Sequence, residues 1–118
     1  MASLIEELRR REAAARQEVD ELRGEIARLY GQLARLTGSP VVELNRAVAV
    51  AEVSGPDEAL QIVDGLELDE YRYFHSTRAE LLRRLDRPTE AREAYERALA
   101  LTVDEVEQRF LAGRIAGL

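Results

Sequence analysis

At 118 residues the chain is long enough for one small domain with a modest core. Its 17 basic residues are all Arg and stand against 23 acids, a net charge of −6 at pH 7, which disfavours a direct nucleic-acid partner because an acidic surface repels phosphates. The absence of Cys excludes disulfides and thiolate chemistry, and the excess of Ala, Leu, Glu and Arg over aromatics (5%) predicts an all-α fold.

The first 38 residues are electrically neutral, with seven Arg and seven acids, whereas residues 39–118 carry the whole deficit. Ser3-Leu4-Ile5-Glu6 fits a capping box. From there Ile5, Leu8, Glu12, Ala15, Val19, Leu22, Ile26, Leu29, Leu33 and Leu36 recur at alternating steps of three and four, the seam of a coiled coil. One helix from about Leu4 to Leu36 is expected, roughly 50 Å long at 1.5 Å per residue. Glu6–Arg10, Glu7–Arg11 and Glu12–Arg16 sit four apart in the favourable order. The seam weakens at Glu12 and Ala15 and is continuous from Val19, so residues 24–38 are expected to pack on the domain. Residues 1–23 are expected to project as a leader or coiled coil and to pair with a second copy; their charges leave a parallel pair, an antiparallel pair and a fold-back onto the domain, filling the groove, open. The Arg9-Arg10-Arg11 triplet reads as a solvated face, because Glu6, Glu7 and Glu12 flank it.

Thr37-Gly38 ends this helix, and Ser39-Pro40 starts the next as N-cap and first helical residue. The second helix, to about Val53, is apolar almost all round, which predicts burial between neighbours. Ser54-Gly55-Pro56 turns into a third helix ending near Leu66, and Glu67–Asp69 reads as a short polar link. A fourth helix spans about Glu70–Leu85. Asp86-Arg87-Pro88 turns into a fifth, ending near Leu101, and Thr102-Val103-Asp104-Glu105 is a capping-box start for a sixth.

Pro56-Asp57-Glu58-Ala59-Leu60 matches Pro88-Thr89-Glu90-Ala91-Arg92 at a distance of 32 residues, near the 34-residue helical-repeat period. The second copy, AELLRRLDRPTEAREAYERALAL, resembles a tetratricopeptide repeat. Ala79, Leu82, Ala91, Tyr95, Ala98 and Leu99 stand at its packing positions, with departures at Arg78, where an apolar residue is usual, and at Asp86, where Gly is usual. The resemblance implies antiparallel helical hairpins, two repeats plus a capping helix, because one hairpin cannot bury its own face. More specifically, LYGQLARLTGSPVVELNRAVAVAEVSGP, LLRRLDRPTEAREAYERALAL and EQRFLAGRI resemble the C-terminal extension of a group of extracytoplasmic-function RNA polymerase sigma factors, over about residues 25–118. That resemblance implies a regulatory or scaffolding module used in transcription, acting through protein contacts with sigma domains or RNA polymerase and without enzymatic activity. No sigma domain is present, and residues 1–23 match nothing in that group. The chain is therefore either a natural stand-alone relative or an excised extension with an added helical leader.

In tetratricopeptide domains the first helix of each hairpin lines a peptide groove. Carried over, the groove shows Val41, Leu44, Asn45, Val48 and Glu52 from the second helix, and Tyr73, Thr77, Glu80, Arg83 and Arg84 from the fourth, with the two Arg able to hold a carboxylate. The alternative is a self-associating scaffold, in which Ile5, Leu8, Val19, Leu22, Ile26 and Leu29 form the coiled-coil seam and no separate ligand binds. Asn45 is expected to hydrogen-bond a loop as a buried amide. His75, the only His, is expected to be partly exposed, and Tyr71, Tyr73 and Phe74 to pack in the core. No catalytic residue, metal ligand set or cofactor motif is found. The longest apolar run, Ala47–Ala51, is too short for a bilayer and no signal-peptide core opens the chain, so a cytoplasmic, membrane-free protein is expected.

Overall fold

In the computed structural model, residues 2–118 are described, Ala2 by its backbone alone; Met1 lies outside the described residues. They form six helices: α1 (Ala2–Thr37), α2 (Pro40–Ser54), α3 (Pro56–Asp64), α4 (Arg72–Arg84), α5 (Pro88–Leu101) and α6 (Glu105–Ala116). The all-α reading holds for the described residues. Links of one to seven residues force each helix back along its predecessor, and each packs mainly on its sequence neighbours, with α2 also touching α4.

Local chemistry explains most boundaries. Gly38 takes φ +63°, a left-handed turn that spares it the Cβ clash other residues meet, and its N–H reaches the Ala34 carbonyl at 2.8 Å. Ser39 Oγ then accepts the Val42 N–H at 3.3 Å, and Pro40 follows at the first helical position. α3 and α5 likewise begin at Pro56 and Pro88. The end of α4 is a Schellman turn: the Asp86 N–H donates to the Arg83 carbonyl at 3.1 Å and the Arg87 N–H to the Leu82 carbonyl at 3.0 Å. This turn requires a left-handed residue, and Asp86 adopts φ +56°. Both expected capping boxes are corrected. Ser3 lies inside α1, and Asp104, not Thr102, caps α6 by accepting the Glu107 N–H at 3.0 Å. Thr102 is buried and bonds the Ala98 carbonyl, a local alternative that removes it from the cap.

The core is a file of small and large side chains from α2 to α6: Leu44, Ala47, Val50 and Ala51, then Ala59, Leu60 and Val63, then Phe74, Ala79, Leu81 and Leu82, then Ala91, Ala94, Tyr95 and Ala98, closed by Leu111. Helices α3 and α5 bury matching positions. Ala59 and Ala91 lie three residues after their prolines, Val63 and Tyr95 seven after, and all four are completely buried. The link from Gly65 to Tyr71 is longer and less polar than expected, since Leu66, Leu68 and Tyr71 fold half-buried onto the core.

α1 contributes no residue to the fully buried core. Its 36 residues span about 54 Å at the usual rise, essentially the 55 Å long dimension of the molecule. The radius of gyration, 17.6 Å, exceeds the roughly 13.5 Å of a compact chain this size, because the first half of α1 stands clear of the domain: residues 8–23 are exposed all round.

Candidate functional site

The second half of α1 packs on α2, through a face other than the seam. The half-buried residues are Gly24, Glu25, Ala27, Tyr30, Gly31 and Ala34, of which Gly24, Ala27, Gly31 and Ala34 follow one another at steps of three and four. Small side chains there let α2 approach closely, and a Cβ on Gly31 would lie 3.5 Å from Cδ of Arg46 on α2. The seam points elsewhere. Ile5, Leu8, Val19, Leu22, Ile26, Leu29, Leu33 and Leu36 are all between 44% and 85% exposed, so the expectation that Ile26 to Leu36 of the seam meet the domain is corrected. The small-residue stripe wins because it allows backbone-close packing, whereas Leu and Ile would hold α1 away from α2.

Several charged side chains of the projecting half pair within the helix. Glu7 accepts from both Arg10 and Arg11, and Arg16 bonds Glu12. The expected Glu6–Arg10 pair is replaced by Arg10–Glu7, and Arg10 and Arg11 of the Arg triplet are thereby tied to their own helix. Arg23 and Asp20 are a loose 3.8 Å apart.

The second concentration of polar chemistry lies where α4, α5 and α6 meet. Glu80 on α4 is half-buried and accepts three donors: the Tyr95 hydroxyl at 2.8 Å, Arg114 Nε at 2.9 Å and Arg83 Nη2 at 2.8 Å. Burial by itself pushes the Glu80 carboxyl up, but the hydrogen bonds from Arg83 and Tyr95 and the charge of Arg114 hold it below its ordinary range. Burial, then the bond to the Glu80 carboxylate, push the Tyr95 phenol up to about 12. Nearby, Tyr73 donates to Glu107 on α6 at 3.2 Å and receives Arg72 Nη2 at 2.9 Å, while the Arg72 guanidinium sits 4.6 Å from the Tyr73 ring centre. Beside Arg72, Tyr73 and Glu107 lies a mainly apolar cleft of about 160 Å³, lined also by Ala98, Thr102, Phe110 and Leu111.

This geometry divides the expected groove. Tyr73, Thr77, Glu80 and Arg84 share one face of α4, but Glu80 and Arg83 are tied to each other and to the neighbouring helices, so that Arg84 is the exposed cation of the pair. Asn45, Val48 and Glu52 form an exposed strip on α2, Val41 is half-buried, and Leu44 is core. Asn45 is thus solvent-facing, correcting its reading as a buried amide, while its neighbour Arg46 bonds Glu43 at 2.6 Å. Among the described residues no hydrogen bond or ion pair joins the α2 strip to α4.

His75 is buried, not partly exposed. Its Nε2 lies 2.7 Å from the Asp69 carbonyl, which can only accept, so Nε2 carries the proton; the ring packs edge-on against Phe74 at 5.0 Å. The bond fastens the α3–α4 link to α4. Phe74 is core as expected, Tyr71 half-buried, and Tyr73 exposed, a correction to its core assignment. Arg78 reaches Asp64 on α3 at 2.8 Å. Among the described residues no group of three or more His, Asp or Glu is placed to hold a metal ion, and no helix is long and apolar enough to cross a membrane.

The α4–α5–α6 cluster escaped the sequence reading because Glu80 and Arg114 are 34 residues apart; only the Glu80-x-x-Arg83 spacing on one helix was visible. Comparison with known proteins finds no matching family model and no matching solved structure. A relative, the uncharacterized protein R00370 of Rhizobium meliloti (strain 1021), is 47% identical over 75 residues, which cover 62% of this chain. The match spans 18% of the length of that relative.

Proposed function

We propose that this chain is a non-catalytic protein-association module: a small helical-repeat domain of tetratricopeptide type carried on a helix that binds other protein. The observation behind this reading is the apolar seam of α1, exposed along the length of the helix while another face of the same helix is already packed on α2. Completing the burial of a half-exposed Leu or Ile yields about 1 kcal/mol. Two seams of eight residues therefore supply roughly 16 kcal/mol, enough to exceed an association cost of about 4–15 kcal/mol. The helix is extended before it binds, so little further ordering is required.

The natural partner of such a seam is a second copy. Light scattering on the intact chain should give twice 13.3 kDa, and V19D/L22D, on the projecting half, should give a single chain with unchanged helical content. A monomeric intact chain at tens of micromolar would sink this reading.

A second surface is supported by the exposed strips Asn45, Val48 and Glu52 on α2 and Tyr73 and Arg84 on α4. The stretch SPVVELNRAVAV that forms α2 carries the resemblance to sigma-factor C-terminal extensions. On that ground we place the module in transcription regulation in the cytoplasm, with sigma domains or RNA polymerase as the second partner. Pull-down of purified sigma domains or polymerase core by the intact chain, weakened in R84E, tests this; equal capture by both, or capture by neither, would remove it.

A further inference from the structure

We infer that α1 pairs with a second copy of itself in parallel and in register, as a two-stranded coiled coil with the repeat domains on its outside. The inference rests on the self-association reading above and adds the orientation.

The seam consists of two sets of positions. The first positions of the five heptads are Ile5, Glu12, Val19, Ile26 and Leu33, and the fourth positions are Leu8, Ala15, Leu22, Leu29 and Leu36, so three of the five pair a β-branched residue with Leu. β-Branched residues at the first position and Leu at the fourth favour parallel two-stranded packing, in which each set meets its own kind across the axis. An antiparallel pair would set each β-branched residue against a Leu. Eight aliphatic side chains per chain, on the order of 90 Å² each, remove about 1,400 Å² from water in a pair, within the range of a stable two-chain contact.

Charge points the same way. The positions beside the seam on one flank are Arg9, Arg16 and Arg23; on the other they are Arg11, Glu18 and Glu25. An antiparallel pair brings like flanks together and sets Arg against Arg. A parallel pair brings opposite flanks together, five residues apart in sequence, so Glu18 meets Arg23 of the second copy twice over. Glu18 has no ion-pair partner in its own chain among the described residues, and Arg23 is held only loosely by Asp20 at 3.8 Å. Two parallel contacts are unfavourable, Arg11 against Arg16 and Glu12 against its own copy across the axis, and both fall where the charges already pair within their own helix, Arg11 with Glu7 and Arg16 with Glu12. The domain does not obstruct the pairing: Ala27, Gly31 and Ala34 take α2 on the side away from the seam, and Ile26, Leu29 and Leu33 stay exposed beside it.

The chain has no Cys, so single cysteines report orientation without background. L8C and L29C lie 21 residues apart on α1, about 31 Å. Under mild oxidation of the intact chain, each variant alone should form a disulfide dimer in high yield. An antiparallel pair can bring at most one of these two positions to its own copy. A light-scattering dimer that cross-links at only one position, at neither, or only when L8C and L29C are mixed overturns the parallel register while leaving self-association intact. A monomer by light scattering overturns both. As a second readout, E18R should weaken the dimer about three- to tenfold and E18R/R23E should restore it; a double variant no tighter than E18R also counts against the register. Circular dichroism on every variant separates these outcomes from loss of the helix.

Discussion

Removing the Glu80 carboxylate tests whether the α4–α5–α6 junction holds the end of the domain together. Glu80 accepts from Tyr95 at 2.8 Å, Arg83 at 2.8 Å and Arg114 at 2.9 Å. A hydrogen bond to a charged group is worth about 1.5–3 kcal/mol, but both Arg side chains are more than a third exposed, which reduces each ion pair to about 0.5–1 kcal/mol. The Tyr95 hydroxyl belongs to a fully buried residue, and leaving it without an acceptor costs about 1–3 kcal/mol. Together these give about 2–5 kcal/mol for Glu80→Ala, read by urea denaturation at pH 7 with circular dichroism at 222 nm. Y95F should be mild alone, and the Y95F/E80A cycle should show a coupling of about 1 kcal/mol or more. The pH dependence has a defined sign. Because the folded carboxyl lies below its ordinary range, its contribution is complete above the unfolded pKa of about 4.3 and is lost as the pH falls through the folded value. The gap between wild type and E80Q should therefore close in acid. At the other end, with the Tyr95 phenol raised to about 12, stability should fall as the pH rises from about 10 towards 12, and Y95F should abolish that fall. A cost below about 0.5 kcal/mol for E80A, or a gap to E80Q that is constant from pH 7 to 3, would refute the reasoning.

Three further substitutions probe other parts of the fold by the same denaturation measurement. His75→Ala removes a buried ring and the bond to the Asp69 carbonyl, and should cost about 2–4 kcal/mol, with faster amide exchange in the Gly65–Tyr71 link; unchanged exchange there would show that the link is held by its apolar residues alone. Asp86→Gly relieves a side chain held at φ +56° and should raise stability by about 0.5–1 kcal/mol, less than the strain removed because Gly also loosens the unfolded chain. Gly31→Ala should stabilise by up to about 1 kcal/mol through helix propensity, since the added Cβ meets Arg46 Cδ at an ordinary 3.5 Å. Gly31→Leu should instead prise α1 from α2, seen as a lower midpoint and a larger hydrodynamic radius.

What the sequence determined by itself was local. The alternation of threes and fours up to Leu36, the Gly38-Ser39-Pro40 junction and the prolines at 56 and 88 fixed where helices begin and end to within a few residues, because caps, turns and periodicity depend on neighbours in the chain. The 32-residue echo of Pro56 at Pro88 showed which positions would be buried alike, and Ala59 and Ala91 are. Which face of α1 would meet the domain was not legible. The strongest apolar stripe pointed to the seam, yet the contact went to Ala27, Gly31 and Ala34, because close backbone approach against α2 depends on the shape of a second helix. The groove fared similarly. In the sequence Tyr73, Glu80 and Arg83 stand as free side chains of α4, but α6 folds back and brings Glu107 and Arg114, 34 residues away, to Tyr73 and Glu80. His75 was judged by its lack of nearby partners in sequence, and its partner proved to be a backbone carbonyl of the link, a group every residue possesses and no side-chain pattern marks. Periodicity and capping are written in adjacent residues, whereas the partner of a charge or an apolar stripe is decided by how whole helices pack.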